Sequence, residues 1–474
     1  MSPASTAFLD PRGANLAEVR QLVHRIVDLT LDARVRAGSR AASRHRSTPV
    51  PADLPGEARS DDEIVADLTQ LIAASAQPSH PDFLAHMGAV SSVMSPVGDF
   101  VAACLNNNLI ALELSPALSL LEEDVARRLA ASFGLGPAAG GVVTTGGSLS
   151  NLHALVVARN RVLGTREQGV HGLDGAPVLL ASEAAHASIT KGAMIAGLGA
   201  TGAIAVRTDL EGRLDMADLR AAYTAAVDAG QRPFAVVATA GTTVTGSIDP
   251  IAEAGAFARE RGLWFHVDAA WGGGLQLCPR LRSRLEGIER ADSITFCPQK
   301  LLLVGLSSSV VLFRDMDAME RSFRTAFPYV DQRESFVNRC EIGVQGSRPA
   351  EVLKLWLTLR HVGMDRHAEL IEQWVRLAEE IATEVDRRPF LHLACRPSSG
   401  IVCFRAATDA RTSDLHAAIA RDAGVRLSLV PFRGPLWLRA VCANPYIEER
   451  VVERIFAVVD AHAAATALSP PTMK

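Results

Sequence analysis

The residue that most suggests chemistry in this sequence is a lysine in an apolar stretch. Lys300 closes the segment FCPQK, which follows ADSIT and precedes LLLVGL. A primary amine in such surroundings is poorly hydrated, so its neutral and nucleophilic form is favoured. Lys300 is therefore a candidate for covalent chemistry with a carbonyl compound, the alternative being an ordinary charged residue beside the core.

Three other segments place polar residues at the ends of predicted strands, where open α/β sheets bind their ligands. In VVTTGGSLSN a strand ends in Gly146-Gly147 and Ser148 opens a helix. The glycines let the backbone approach a ligand and the helix offers free N–H groups, so Gly147 and Ser148 suit a phosphate. In SEAAHASITKGA, His186 comes just after a strand, and in WFHVDAAWGGG an apolar strand ends with Asp268. A carboxylate at such a place is costly to bury without a partner.

Taken singly, each feature has an ordinary structural explanation: a serine cap, a packing histidine or a buried ion pair. Together they form the set of groups that pyridoxal phosphate requires. The ligand needs a phosphate cradle, a histidine to stack on the ring, a carboxylate for the ring nitrogen and a lysine for the aldehyde. The sequence therefore predicts a pyridoxal-phosphate enzyme, in which Asp268 keeps the ring nitrogen protonated.

The elements that must position these residues predict an α/β fold. Between about 140 and 315, short β-rich runs alternate with helical stretches, which is typical of a mostly parallel sheet with helices on both faces. LAEVRQLVHRIVDLTLDARVRA and DDEIVADLTQLIAAS predict two helices before this region, and a second β/α set predicts a smaller α+β domain after it. We predict a helical dimerisation segment over 1–77, a large cofactor-binding domain over 78–365 and a small domain over 366–474.

The composition narrows the class of protein. The chain has 474 residues, and 48% of them are hydrophobic, which favours a globular protein. Its net charge of −4 does not favour nucleic acid as a partner. No apolar run approaches the ~20 residues of a membrane span, and the N-terminal segment lacks the apolar core of a signal peptide. The seven cysteines form no CxxC pair. We therefore expect neither a metal site nor a disulfide framework, and predict a cytoplasmic protein.

The sequence resembles the group II pyridoxal-phosphate-dependent amino-acid decarboxylases, which act on glutamate, cysteine sulfinate, aromatic amino acids or diaminobutyrate. The resemblance runs from about 80 to 445, through segments such as HPDFLAHM, LELSPALSLLE, TGGSLSN, ATAGTTVTGSIDPI, HVDAAWGGG and ADSITFCPQK. It implies the aspartate-aminotransferase-like fold called fold type I, and decarboxylation of an L-amino acid to CO2 and a primary amine. It also implies a homodimer with shared active sites, because the N-terminal helices of the family wrap the partner subunit.

The resemblance implies roles for further residues, beyond the four segments described above. Thr243 and Ala270 would contact the cofactor, and Arg439 would hold the α-carboxylate of the substrate. Tyr329, in AFPYVDQRESF, would lie on a mobile loop and protonate the substrate carbon after CO2 has left, either directly or through His186. The catalytic set that the resemblance implies is therefore Lys300, His186, Tyr329 and Asp268.

One departure from the family bears on cofactor binding. The family usually has Asn-Pro-His-Lys, and this chain has Cys297-Pro298-Gln299-Lys300. A thiol is a weak donor, whereas the Gln299 amide can still donate to the phosphate. We therefore expect phosphate binding to be weakened and not abolished.

Other departures bear on the substrate. His86 and Gly88 stand where the glutamate branch has a glutamine and a serine for the distal carboxylate, and Asn108 and Ile110 replace a polar–aromatic pair. Fewer donors make a buried carboxylate costly, which favours a less acidic substrate, although a protonated His86 could still hold an anion.

Other functions remain open from the sequence alone. They are an aldehyde synthase or an aminotransferase of the same fold, and a non-catalytic cofactor-binding protein. Tyr329 discriminates between amine and aldehyde production, because family members that lack this hydroxyl tend to divert the carbanion to oxygen. The altered residues before Lys300 make the non-catalytic alternative conceivable, and the complete set of other site residues argues against it.

Overall fold

The computed structural model of the chain describes residues 6–37, 55–76, 78–88, 90–325, 327–328 and 336–467. The chain divides into two units, each assembled from segments that are distant in sequence. The larger unit comprises residues 85–416 and 427–443, and the smaller unit comprises residues 1–84, 417–426 and 444–474.

Seven strands of the larger unit form one sheet. They are β1 (Gly140–Thr144), β2 (Pro177–Ser182), β3 (Ala203–Val206), β4 (Arg232–Thr239), β5 (Trp264–Ala269), β6 (Ser293–Phe296) and β7 (Ser309–Phe313). Their order is β1-β7-β6-β5-β4-β2-β3. The pairs from β6 through to β3 are parallel, and β7 is antiparallel to both β6 and β1. The prediction of a mostly parallel sheet is therefore confirmed.

The helices are, in chain order, α1 (Leu16–Ala37), α2 (Asp61–Ala74), α3 (Met94–Leu105), α4 (Pro116–Ser132), α5 (Gly147–Leu163), α6 (Ser188–Ile195), α7 (Met216–Asp228), α8 (Ile251–Glu260), α9 (Met316–Phe323), α10 (Glu351–Val362), α11 (Met364–Asp386), α12 (Asp409–Ala418) and α13 (Val451–Ala467). Every residue of β5, β6 and β7 is buried. Both faces of the large sheet are thus covered, as expected where helices alternate with parallel strands.

A second, antiparallel sheet belongs to the same unit. It contains β8 (Leu391–Leu393), β9 (Ile401–Ala406), β10 (Ser428–Pro431) and β11 (Leu436–Val441), in the order β10-β11-β9-β8. All three pairs are antiparallel. Its four strands fall within the stretch, 366–474, for which the sequence predicts a smaller α+β domain.

The carboxyl ends of the parallel strands meet at one edge of the large sheet. These ends are Ser182 of β2, Thr239 of β4, Ala269 of β5 and Phe296 of β6. Because β1 is antiparallel to β7, which is antiparallel to β6, the end of β1 at Thr144 lies at the same edge. The segments that follow these five ends carry most of the candidate residues.

The smaller unit contains helices α1, α2 and α13. α1 begins at Leu16 and ends at Ala37, and Arg25 of this helix lies 2.8 Å from the Asp62 carboxylate of α2. Ser60 caps α2, since its hydroxyl accepts from the Glu63 N–H while the Glu63 carboxylate accepts from the Ser60 N–H. In the ranges that the structure describes, no helix is both long enough and apolar enough to cross a membrane.

Candidate active site

A cavity of about 170 Å³ lies at the edge of the sheet where the parallel strands end. Its lining comes from the segments after β1, β2, β4, β5 and β6. All eight residues predicted to contact the cofactor line it: Gly147, Ser148, His186, Thr243, Asp268, Ala270, Gln299 and Lys300. Residues up to 153 positions apart in the chain, from Gly147 to Lys300, thus share one site.

Asp268 lies near the end of β5 and is held by two donors. The side-chain Nδ2 of Asn151 donates to Asp268 Oδ2 at 2.8 Å, and the Ala270 N–H donates to Asp268 Oδ1 at 3.1 Å. The residue is 4% exposed. Each carboxylate oxygen therefore has a donor, and the group is compensated for its burial.

Contacts with Ser188 fix the tautomer of the neutral His186 ring. The Ser188 N–H lies 3.2 Å from His186 Nδ1, and the Ser188 hydroxyl lies 2.8 Å from the same nitrogen. A backbone N–H can only donate, so Nδ1 is an acceptor and the proton of the neutral ring is on Nε2. Burial lowers the pKa of His186, Asp268 opposes this effect, and the positive charge of Lys300 adds to it.

A turn after β6 presents Gln299 and Lys300 to the cavity. The Lys300 N–H donates to the Cys297 carbonyl at 3.1 Å, and the Ser308 N–H donates to Gln299 Oε1 at 2.5 Å. Since a backbone N–H needs an acceptor, the carbonyl oxygen of the Gln299 amide faces Ser308. Its NH2 group is left to donate elsewhere. Burial raises the pKa of the Cys297 thiol, which therefore stays uncharged.

The junction of β1 and α5 brings the backbone close to the cavity. Gly146 has φ +114°, which favours glycine, and Gly147 begins the helix. A Cβ atom on Gly147 would lie 2.9 Å from Cys297 Sγ. Across the cavity, the buried Thr239 hydroxyl has no hydrogen-bond partner in the part of the chain that the structure describes.

These features fit pyridoxal phosphate. The cradle at Gly147 has no room for a side chain, the Thr239 hydroxyl is a buried donor that lacks an acceptor, and the amine of Lys300 shares the cavity with the Asp268 carboxylate. No cluster of three or more His, Cys, Asp or Glu side chains suited to a metal ion occurs among the described residues.

Two predicted substrate residues are not among the residues that line this cavity. His86 is exposed. Arg439 is 6% exposed and lies on β11 opposite Cys403 of β9, so the two side chains share one face of the small sheet. The Cys403 thiol lies 3.2 Å from the carbonyl of Val244, and the Arg439 guanidinium therefore faces the turn next to Thr243. Tyr329 lies outside the described residues.

Sequence reasoning missed several polar residues around Asp268. Asn151 and Ser188 line the cavity, and His266 lies behind Asn151, with its Nε2 3.1 Å from Asn151 Oδ1. Two signals could have found them. His266 is two residues before Asp268 in a strand and therefore shares its face, and Asn151 is four residues after Gly147 and lies one helical turn above it.

A second cavity, of about 440 Å³, shares His186 and Thr243 with the first. The rest of its lining is mostly apolar: Ala184, Ala185, Ala187, Val244, Pro431 and Phe432, together with the charged Glu183 and Arg433. Both charged groups are engaged within the protein. Glu183 Oε1 accepts from the N–H and hydroxyl of Thr208, and Arg433 donates to the Thr208 hydroxyl and to the Asp209 carbonyl.

The chain is similar to known decarboxylases over most of its length. Residues 44–407 match the family described as the pyridoxal-dependent decarboxylase conserved domain. The chain is 34% identical over 389 residues to L-2,4-diaminobutyrate decarboxylase of Rhizobium meliloti (strain 1021), which covers 79% of this chain and 76% of that protein. It is 32% identical over 400 residues to cysteine sulfinic acid decarboxylase of Rattus norvegicus, with 81% of each chain covered.

The tertiary structure agrees with this similarity. The crystal structure of mouse CSAD in apo form has a TM-score of 0.85 and 28% identity to this chain, and the match covers 94% of this chain and 99% of that one. The predictions of fold type I, of pyridoxal phosphate as cofactor and of an amino-acid decarboxylase are therefore confirmed. The chain belongs to the group II pyridoxal-phosphate-dependent amino-acid decarboxylases.

Proposed function

We propose that this decarboxylase acts on an L-amino acid whose side chain carries no charge, with Lys300, Asp268 and His186 at the centre of the reaction. The observation that carries the site assignment is that all eight predicted cofactor contacts line one cavity. The observation that favours an uncharged substrate is the apolar lining of the adjoining second cavity.

Each residue of the site has a separate task in this proposal. Lys300 would hold the cofactor through its aldehyde. Asp268 would pair with the ring nitrogen and keep it protonated, and His186 would stack on the ring. Bound pyridoxal phosphate supplies the electron sink for the pair left at Cα when CO2 departs. Tyr329 remains our predicted proton donor to Cα.

Arg439 suits the α-carboxylate of the substrate. Its guanidinium is buried, and its Nε has no hydrogen-bond partner among the described residues. Burial lowers the pKa of Arg439, but an arginine remains charged in proteins. A buried cation without an anion is costly, so a carboxylate ligand on the face that Arg439 shares with Cys403 would compensate it.

Asn108 provides an argument against an acidic substrate. Its Oδ1 accepts from the N–H groups of Ile110 and Arg348 at 3.1 and 3.0 Å, and its Nδ2 donates to the Ser347 hydroxyl at 3.2 Å. This amide is thus engaged in holding its own loop. It is poorly placed to serve as a donor to a distal carboxylate, such as that of glutamate.

The substrate proposal is tested with a panel of L-amino acids and purified, cofactor-loaded enzyme. We expect kcat/KM for apolar or aromatic substrates to exceed that for glutamate, cysteine sulfinate and 2,4-diaminobutyrate by at least about 10-fold, the ratio that ~1.4 kcal/mol of binding supplies. Amine, CO2, aldehyde and hydrogen peroxide are all measured, so that an aldehyde synthase is recognised. A charged substrate at the top of the ranking would contradict the proposal.

A matched pair of variants locates the selectivity. Phe432→Ala enlarges the second cavity and should reduce kcat/KM for the best apolar substrate, because apolar surface of the pocket is lost. Phe390→Ala removes a phenylalanine side chain that is 39% exposed and outside both cavities, and should have no effect on the ranking. Equal effects of the two changes would place the side-chain pocket elsewhere.

We also propose that the enzyme is a homodimer. Helix α3 buries Ser95 and Gly98 on one face, where a Cβ on Gly98 would lie 2.5 Å from the Lys354 Cα of α10. Elsewhere α3 exposes four apolar side chains, at 37–55%: Val97, Phe100, Val101 and Leu105. Such an apolar helix face is typical of an interface, and a second copy of the chain is the partner that the family implies.

Light scattering tests the assembly. We expect twice the 50.4 kDa of one chain for the wild type, and a shift toward 50.4 kDa with loss of turnover for Phe100→Glu. Val227→Glu, at an exposed apolar residue of α7, is the control and should stay dimeric. A fully active monomer in the wild type would contradict the proposal.

A cytoplasmic location is our proposal for the compartment. All seven cysteines are free and six of them are buried, which suits a reducing environment. Fractionation of the source cells with an antibody to the chain tests this, and recovery outside the cytoplasmic fraction would contradict it.

A further inference from the structure

We propose that Asn151 is a positioning residue whose single amide fixes both Asp268 and His186 through one directional chain of hydrogen bonds. The inference rests on the proposed roles of those two residues toward the cofactor. Asn151 is 1% exposed and lies in the second turn of α5, between the two residues that it joins.

All three polar positions of the Asn151 amide are engaged. Nδ2 lies 2.8 Å from Asp268 Oδ2 and 2.8 Å from the Ser188 hydroxyl, and Oδ1 lies 3.1 Å from His266 Nε2. A carboxylate only accepts, so the atom that faces Asp268 must be the NH2 group. The amide orientation is therefore determined, and its oxygen faces His266 Nε2.

His266 lies behind the Asn151 oxygen and is held by Ser293. The Trp264 Nε1–H only donates, and it does so to the Ser293 hydroxyl at 2.8 Å. That hydroxyl lies 2.9 Å from His266 Nδ1, and the Ser293 carbonyl lies 3.1 Å from the same nitrogen. Burial lowers the pKa of His266 to about 4, so the ring is neutral near pH 7.

The other branch of the chain runs to His186, which would stack on the cofactor ring. Ser188 accepts from the Asn151 amide and donates its hydroxyl proton to His186 Nδ1 at 2.8 Å. Each hydrogen bond from Asn151 through Ser188 to His186, and from Asn151 to Asp268, then has one donor and one acceptor. Without the amide, the Asp268 carboxylate and the Ser188 hydroxyl each lose a partner, and Asp268 keeps only the Ala270 N–H as a donor.

The test compares Asn151→Ala with Asn160→Ala. Asn160 is on the same helix, is also hydrogen-bonded and lies outside the cavity, so it is a matched control. Apoenzyme is titrated with pyridoxal phosphate in the absence of substrate, and kcat and KM are then measured. We expect Asn151→Ala to weaken cofactor binding by about 10–100-fold and to lower kcat by about the same factor, with little change in KM. Losses of this size are typical when a residue that orients a binding group is removed.

Ser188→Ala separates the two branches. It removes the donor to His186 and leaves the Asn151–Asp268 contact in place. We expect cofactor affinity to stay near that of the wild type and the acid limb of the pH profile of kcat/KM to move to higher pH. The reason is that a donor to the neutral ring is lost while the charged groups that face His186, namely Asp268, Lys300 and Lys191, remain.

Asn151→Asp extends the test. It keeps the shape of the side chain but sets a second carboxylate against Asp268, and should weaken cofactor binding more than Asn151→Ala does. If Asn151→Ala does not fold, as judged by its thermal midpoint, the Asn151→Asp and Ser188→Ala results decide instead.

The proposal would be overturned if the Asn151 and Ser188 variants had the same cofactor affinity, kcat and pH profile as Asn160→Ala. Cofactor affinity is measured without substrate, so an error in the proposed substrate class would leave this part of the result intact. If the wild-type enzyme did not bind pyridoxal phosphate at all, that result would count against the proposed function itself.

Discussion

Gln299 stands where the family usually carries a histidine, and its contacts show how a glutamine can serve there. Its carbonyl oxygen accepts from the Ser308 N–H, and its NH2 group remains available at the cavity that also contains Lys300. An amide anchored on one side and donating on the other is a suitable phosphate ligand. The substitution is therefore compatible with cofactor binding, as we expect from the sequence.

Gln299→Glu tests whether the NH2 group of Gln299 donates to the cofactor phosphate. The carboxylate can still accept from Ser308, but it replaces the donor to the phosphate with a negative charge. We expect the affinity for pyridoxal phosphate to fall by about 10–100-fold, because a hydrogen bond to a charged group is worth about 1.5–3 kcal/mol. Gln299→His, which keeps a donor, should bind the cofactor at least as tightly as the wild type. Titration of apoenzyme checks both, and unchanged affinity in Gln299→Glu would remove Gln299 from the phosphate site.

Lys300→Ala should abolish the visible absorbance of covalently bound cofactor and all measurable turnover, because the amine that binds the aldehyde is gone. Lys191→Ala is the matched control, since Lys191 lies near His186 but does not line the cavity. Spectra and borohydride reduction followed by mass analysis check the result. A reducible adduct that persists in Lys300→Ala would show that another lysine binds the cofactor.

The junction between β1 and α5 sets the distance between the backbone and the cofactor phosphate. The helix begins at Gly147, and its first turn lies against the segment that follows β6. The two elements meet where Gly147 contacts the Cys297 thiol, so the residue types at these two positions depend on each other.

Gly147→Ala should weaken cofactor binding and lower the thermal midpoint, because the added Cβ would lie 2.9 Å from Cys297 Sγ. Overpacking of this kind costs about 1–3 kcal/mol. The double variant Gly147→Ala/Cys297→Ala removes the sulfur and should recover part of both losses. Cys297→Ala alone is the control. A double variant no better than Gly147→Ala would show that the cradle fails for a reason other than this contact.

Buried histidines make the stability of the whole molecule depend on pH. Burial lowers the pKa of His153, His266 and His367 to about 4, from an ordinary value of 6.5. Between these values the unfolded chain binds more protons than the folded chain. Stability is therefore complete above about pH 6.5 and falls as the pH decreases toward 4.

His367→Leu should reduce this acid sensitivity. Neither ring nitrogen of His367 has a hydrogen-bond partner in the described part of the chain, and the side chain is fully buried. We expect the variant to be at least as stable as the wild type near pH 7.5 and to lose less of its thermal midpoint at about pH 5, where protonation of His367 costs the wild type about 2 kcal/mol. His361→Gln, at an exposed histidine of α10, is the control. Identical pH dependence in His367→Leu and the wild type would contradict the assignment.

Much of the fold follows from local patterns. Apolar spacing predicts α1 with the bounds that the structure has, and the alternation of short strands with helices predicts the mostly parallel sheet. The cofactor residues also follow from order along the chain, because the carboxyl ends of parallel strands share one edge wherever the strands lie in the sheet. The domain boundaries at 77/78 and 365/366 remain predictions.

The support for the site could not be foreseen in this way. Asn151 meets Asp268 across 117 positions of the chain and His266 across 115, and these contacts depend on how α5 packs over the sheet. Arg439 reaches the face of the small sheet opposite Val244 only through the register of β11 with β9. Periodicity reports which face a side chain occupies and says nothing of which distant side chain it will meet there. The hydrogen-bond partners of buried polar groups are therefore determined by the packing of helices on the sheet. Only that packing brings each buried donor close to an acceptor.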